Sequence, residues 1–253
     1  MRYALLISYD GTNYGGWQIQ KNAVTVQQKL TEALYDLLGC KCNLIASGRT
    51  DSGVHAKAQV CHFDAETSVP AEKIADALNV RLPQDISVLQ SVKAPEGFDA
   101  QSSAKQKTYC YRIYLSERRH PLKDRNSVQI KYNIDLKKLE RSAKFFEGEH
   151  DFKAYCASGS QVLTTVRKVY KTEVKINKSD VEIYVTGNGF LYNMVRTLAG
   201  TMIYFSAGRL KGEDIKNSLL NGDRNSVGKT MPAKGLTLES VDYGIDLFNS
   251  NFT

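Results

Sequence analysis

Apolar residues recur along this chain with two periods, and the switches between them lay out its elements. Tyr3 to Tyr9 reads as a strand. Val26 to Leu38 places Leu30, Ala33, Leu34, Leu37 and Leu38 on one helical face, with Thr25 and Gln28 spaced as a capping box and Gly39 closing the helix. Strands are expected at Lys41 to Ala46 and Ala58 to Phe63, a helix at Ala71 to Val80, and a strand at Ile86 to Val92. From Lys107 the same β-α-β-β-α-β order returns: strand Lys107 to Leu115, helix Leu136 to Phe146, strands Val166 to Ile176 and Val181 to Thr186, helix Phe190 to Ala207, strand Leu236 to Tyr243. The second half adds a strand at Val128 to Tyr132 and a helix at Gly212 to Leu220. Two such units predict an α+β protein of two ferredoxin-like halves, each a sheet with helices on one face. They share order without evident sequence identity. The connection Lys93 to Ala104, with Pro95, Gly97 and several serines, marks the expected boundary, giving residues 1–104 and 105–253.

Between two of these strands lies Ser47-Gly48-Arg49-Thr50-Asp51-Ser52-Gly53-Val54-His55-Ala56. An acid and a base on a loop held at both ends by a sheet suit chemistry, and a carboxylate so placed serves as a nucleophile, a base or a turn residue. The loop lacks the G-x-x-x-x-G-K-[ST] spacing of a phosphate cradle. His55 reads either as a general base or as a hydrogen-bonded structural residue.

Three further stretches carry chemical content. In Tyr9-Asp10-Gly11-Thr12-Asn13-Tyr14-Gly15-Gly16-Trp17-Gln18 the glycines suit either a strand-exit loop with Trp17 plugging the core or close approach to a ligand. It is not a dinucleotide fingerprint, since no helix opens at these glycines. Lys105 to Tyr114 alternates Tyr109, Tyr111 and Ile113 with Thr108, Cys110, Arg112 and Tyr114, which fits either a half-buried strand or an aromatic that stacks on a base beside phosphate-binding lysines. Gly187 to Gly200 runs from a glycine-rich strand exit into an apolar helix containing Arg196, a charge that demands an anionic partner.

Composition narrows the partner. Thirty-four Lys and Arg against 27 Asp and Glu give a formal charge of +7, which favours a polyanion such as nucleic acid. The five cysteines, Cys40, Cys42, Cys61, Cys110 and Cys156, form no C-x-x-C pair and read as buried thiols in a reducing compartment. Cys61 and His62 are strand neighbours pointing to opposite faces, which argues against zinc. No apolar run approaches the roughly 20 residues of a membrane span, and the amino terminus lacks a signal-peptide pattern, so a cytoplasmic protein is expected.

The chain resembles the bacterial tRNA pseudouridine synthase A family over nearly its whole length. The resemblance rests on Tyr9-Asp10-Gly11 with Gly16-Trp17-Gln18, Gly48-Arg49-Thr50-Asp51 followed by Gly53-Val54-His55-Ala56, Lys107-x-Tyr109-x-Tyr111, His150-Asp151-Phe152, Asn193-Met194-Val195-Arg196, and Gly235-Leu236-x-Leu238. It implies the pseudouridine synthase fold, with two ferredoxin-like halves joined in a mixed, mainly antiparallel sheet around a basic cleft. It also implies conversion of uridine to pseudouridine in the anticodon arm of tRNA at positions 38, 39 and 40. Asp51 looks like the catalytic aspartate, Arg196 like the arginine that pairs with it, and Tyr109 like the tyrosine that packs on the target base. Arg49 looks like the arginine that helps hold the flipped nucleotide; His55 is carried with the substrate-binding residues. A homodimer is implied, and the reaction, an isomerisation, calls for no redox or nucleotide cofactor and no metal. The chain departs from the family at Gln101-Ser102, where a basic and an aromatic residue are usual, and at Met231, where an alanine commonly precedes the proline. A non-catalytic RNA-binding protein of the same fold would share the charge and the aromatics, but gives no reason for an arginine in an apolar helix. A zinc deaminase would need H-x-E and P-C-x-x-C, and a methyltransferase a glycine-rich turn opening a helix after the first strand; neither pattern occurs.

Overall fold

The computed structural model describes residues 1–157, 159 and 162–248. It forms two compact units, one of Met1–Gln106 together with the chain from Leu238 on, the other of Lys107–Thr237. The first unit opens with strand β1 (Arg2–Tyr9), helix α1 (Val26–Leu38), strands β2 (Ile45–Ala46) and β3 (His55–Asp64), helix α2 (Ile74–Asn79) and strand β4 (Ile86–Lys93). This is the expected β-α-β-β-α-β order. β1 is the central strand, antiparallel to β3 on one edge and to β4 on the other. Its residues Tyr3 to Ile7 are all buried, as a strand covered on both faces requires.

Helix α1 keeps its expected bounds because its ends carry their own signals. Thr25 accepts the N–H of Gln28, and Gly39 turns left-handed at φ 69° and donates to Tyr35. The capping box is only half made, since the Gln28 side chain reaches forward to Glu32. Strand β2 is shorter than its apolar run suggested: the Gln27 side chain takes the Leu44 carbonyl at 2.9 Å, so that segment is tied to α1. Cys40, directly after the Gly39 cap, lies exposed and not buried as expected, while Cys42, Cys61 and Cys110 are buried and Cys156 is half-buried.

The second unit continues with β5 (Gln106–Leu115), a one-turn helix α3 (Pro121–Asp124), β6 (Val128–Ile130), α4 (Leu136–Ala143), β7 (Gly148–Asp151), β8 (Val166–Asn177), β9 (Asp180–Gly187), α5 (Met194–Ser206), α6 (Gly212–Asn221) and β10 (Leu236–Asp242). β5, β9, β8 and β7 lie side by side, antiparallel throughout, and β6 pairs parallel to β5. Two departures from expectation are physical. β7 has the polar sequence GEHD, without alternation, and exists as a strand only through pairing with β8. Helix α5 begins at Met194 and not Phe190, because Asn193 takes φ 62°, which ends the approach in a tight turn.

Strand β10 divides between the units: Leu236 and Thr237 end the second, and from Leu238 the chain rejoins the first beside β3. Division by chain order alone keeps this tail with the second half. It returns because Tyr243 packs on Phe98 at 5.0 Å, donates to the Ala100 carbonyl at 2.8 Å and closes a core with Ala4, Leu6, Ala58 and Val60. Ten strands, mostly antiparallel, and helices make the described chain α+β. Among the described residues no helix is long and apolar enough to cross a membrane.

Candidate active site

In the first unit the loop between β2 and β3 carries Arg49 and Asp51, His55 opens β3 directly after it, and the loop is held at both ends. At its start Gln59, fully buried on β3, accepts the Ser47 hydroxyl at 2.5 Å and donates to the Gly48 carbonyl at 2.9 Å. In its middle Thr50 is 7% exposed, its hydroxyl 2.7 Å from that of Tyr9 and its carbonyl accepting the Trp17 N–H at 3.0 Å. Val54 N–H closes a turn onto the Asp51 carbonyl at 3.1 Å, and both Gly53 N–H and Ser52 Oγ donate to the Tyr14 carbonyl at 3.2 Å. Asp51 is thereby half-buried on a backbone fixed on either side of it.

The brace is the segment that leaves β1, and its glycines approach the loop's own backbone. A Cβ on Gly11 would lie 2.0 Å from the Val54 carbonyl oxygen, and one on Gly16 2.5 Å from that of Thr50. Trp17 is 2% exposed and packs at a tilt on Tyr9, ring centroids 6.1 Å apart, so it does plug the core. Burial pushes the Tyr9 hydroxyl well above its ordinary pKa, which keeps it a neutral hydrogen-bonding group. His55 is 6% exposed; its Nδ1 accepts the Gly11 N–H at 3.1 Å and lies 3.1 Å from an Asp10 carboxylate oxygen. Arg49 is exposed.

In the second unit Tyr109 and Arg196 stand on β5 and α5. Tyr109 is 8% exposed, with its ring edge to face against Phe190 at 5.3 Å. Tyr111, two residues on and on the same face, is buried and donates to the Pro232 carbonyl at 2.8 Å; burial raises its hydroxyl above the ordinary tyrosine value, against the opposing charge of Arg196. Lys107 precedes them on that face, and burial lowers its amine from the ordinary lysine value. Arg196 is half-buried one turn into α5; its Nε donates to the Met231 carbonyl at 2.7 Å and one terminal nitrogen to Asn193 Oδ1 at 2.5 Å. Asp51 and Arg49 therefore share one loop of the first unit, with His55 at the start of β3, while Tyr109 and Arg196 belong to the second.

Several residues that shape the site carry only faint sequence signals. Gln59 is an amide in an otherwise apolar run, the one hint that its side chain is bonded inside. The strap of Gly228 to Pro232 has no periodicity, yet it lies along α5: Thr201 Oγ1 accepts the Gly228 N–H at 2.9 Å and the hydroxyls of Thr197 and Thr230 meet at 2.9 Å. Among the described residues no group of three or more His, Cys, Asp or Glu could hold a metal ion.

Residues 5–101 and 142–244 match the family described as tRNA pseudouridine synthase. A protein named tRNA pseudouridine synthase A from Ruminiclostridium cellulolyticum is 45% identical over 240 residues, 94% of this chain and 98% of that one. One of the same name from Caldicellulosiruptor bescii is 44% identical over 244 residues, 96% and 100% of the two chains. A Clostridium perfringens protein named tRNA pseudouridine synthase A 2 is 40% identical over 94% of this chain and 98% of its own. Among solved structures, a Cbf5-Nop10-Gar1 complex aligns with 93% of this chain and 57% of its own at 14% identity and a TM-score of 0.40, a likeness on which nothing below rests. A strand-held aspartate loop, a tyrosine-bearing strand and an arginine-bearing helix, joined to matches over nearly the full length, define an RNA-modifying isomerase. The chain belongs to the tRNA pseudouridine synthase family, whose reaction turns uridine in tRNA into pseudouridine.

Proposed function

We propose that this protein isomerises uridines at positions 38, 39 and 40 in the anticodon arm of tRNA, with Asp51 as nucleophile. The observation that carries the reading is the half-buried Asp51 on a backbone pinned by Trp17, Tyr14 and Gln59, since attack geometry fixed in advance is worth much of a barrier. The reaction breaks the N-glycosidic bond, turns the uracil and rejoins it through carbon; the ring carbon gives up a proton and the ring nitrogen gains one. Nothing is oxidised or reduced. Asp51 attacks either the uracil ring or the released ribose carbon.

Reaching the base requires taking it out of its stack, at a cost of a few kcal/mol. Tyr109, steadied by Phe190, offers the face that receives it. Arg196 is the residue that the family resemblance pairs with Asp51, an opposite charge that would favour the ionised carboxylate. Arg49 is exposed and meets the RNA backbone, in keeping with a net charge of +7. His55 serves the substrate by bracing the loop through Gly11. The protein works in the cytoplasm as a homodimer, as the family resemblance implies.

The test is incubation with unmodified tRNA and mapping of pseudouridine by carbodiimide adduct and primer extension. Wild type is expected to modify the anticodon arm and Asp51→Asn to bind tRNA without converting it. Substantial conversion by a folded Asp51→Asn would overturn the assignment, and tRNA binding by wild type without any conversion would leave a binding protein.

A further inference from the structure

Asn193 stands immediately before α5 with φ 62° and ψ 5°. A residue at that place commonly turns its side chain onto the helix's free N–H groups, but Asn193 makes no such cap. Its Oδ1 instead accepts a hydrogen bond from Arg196 at 2.5 Å, one turn further on. Its backbone is committed as well: the Asn193 carbonyl accepts the Thr197 N–H, and the flanking turn is closed by Met194 N–H on the Leu191 carbonyl, both at 3.0 Å. The Arg196 fork is therefore gripped on two sides by neutral oxygens, Asn193 Oδ1 and the Met231 carbonyl.

Two demands meet at this position. The backbone requires a residue that accepts positive φ, which favours Gly, Asn, Asp and His. The guanidinium requires an acceptor that orients it without neutralising it. Glycine supplies no acceptor, and aspartate supplies a charge that would compete for the arginine. Asparagine meets both, with an uncharged oxygen that the structure shows in place. We propose that Asn193 is a positioning residue for the isomerisation: it aims Arg196 while leaving its positive charge to act on the catalytic carboxylate. This rests on the reading of Arg196 as the partner of Asp51.

Three variants test it in steady-state conversion of an unmodified tRNA transcript, with KM, kcat, pH profile and melting temperature measured for each. Asn193→Gly keeps the left-handed backbone and deletes the acceptor; kcat is expected to fall by about 10- to 100-fold with KM for tRNA little changed, the size of effect that misplacing a reacting group produces. Asn193→Asp keeps shape and acceptor but adds a charge beside Arg196. The carboxylate of Asp51 then loses part of its stabilisation, so the acid limb of the kcat profile is expected to move to higher pH, a shift that loss of packing alone would not give. Arg196→Lys reports on the reading beneath. If it leaves kcat and the pH profile unchanged, the pairing of Arg196 with Asp51 is what fails. If Arg196→Lys is impaired while Asn193→Gly retains wild-type kcat, or Asn193→Asp retains the wild-type acid limb, the role of Asn193 alone is overturned.

Discussion

Gly16 lies so close to Thr50 that a Cβ built on it would come within 2.5 Å of the Thr50 carbonyl oxygen, and 3.0 Å of the Asp51 carbonyl carbon. With φ at 95°, the position also disfavours any L side chain. Gly16→Ala is therefore expected to push the backbone at Thr50 and Asp51 outward. Strain of this kind costs about 1–3 kcal/mol. Conversion of tRNA should fall further than stability does if the displaced backbone carries the nucleophile, as proposed for Asp51. Melting temperature and kcat measured side by side check this; unchanged kcat would show that the loop tolerates the shift.

Gln59 is the second support of the same loop. Replacing it with leucine keeps the volume of the buried site but strands the Ser47 hydroxyl and the Gly48 carbonyl, each losing its listener on β3. Leaving buried polar groups unpaired costs about 1–3 kcal/mol apiece. Gln59→Leu should lower the denaturation midpoint and reduce kcat, whereas Gln59→Glu, which still accepts from Ser47, should recover part of the stability only. Chemical denaturation of the three proteins separates the cases.

These supports explain which parts of the molecule were legible in the sequence. Elements whose ends carry local chemistry were plain: Thr25 and Gly39 bound α1 at the residues expected, and β1 has an unbroken buried run from Tyr3 to Ile7. Asp51 and Arg196 stood out because a carboxylate among turn residues and a charge in an apolar helix both break the surrounding pattern. What was hidden depends on partners remote in the chain. β7 is a strand only because β8 lies beside it, and β2 begins late because Gln27 takes the carbonyl of Leu44 just before it. The glycines after β1 fitted either a strand-exit loop or approach to a ligand; they approach the Asp51 loop, a distinction that only three-dimensional neighbours can make.

His62 gives the first unit an acid-sensitive joint. It is 1% exposed, its Nδ1 accepts the Ala100 N–H at 3.0 Å, and burial, helped by the charge of Arg2, lowers its pKa against the opposing pull of Asp99 and Asp64. A histidine held neutral in the fold protonates more readily unfolded, near pH 6.5. Its stabilising contribution is thus complete above that pH and is lost as the pH falls toward the lowered folded-state value. Between pH 7.5 and 5 the wild type should lose more stability than His62→Gln, which retains an acceptor for Ala100 and cannot charge. Parallel slopes in urea denaturation across that window would rule the joint out.

The strap along α5 should matter to Arg196 as much as the residues that touch it. Its carbonyl at Met231 holds Arg196 Nε, and its next carbonyl, at Pro232, holds the Tyr111 hydroxyl. The strap lies this close only because two glycines cross: a Cβ on Gly200 would sit 1.9 Å from the Lys229 carbonyl oxygen, and one on Gly228 2.4 Å from the carbonyl oxygen of Gly200. Both obstacles are backbone, so neither can be relieved by a side-chain rotation. Gly200→Ala must lift the strap, at about 1–3 kcal/mol of overpacking and a drop in melting temperature of roughly 2–12 °C for a chain of this size. Lifting it withdraws the Met231 carbonyl from Arg196, so kcat should fall beyond what the folded fraction accounts for, measured at a temperature where Gly200→Ala remains folded. A variant that is destabilised yet converts tRNA at the full rate per folded molecule would show that Arg196 is aimed without the strap.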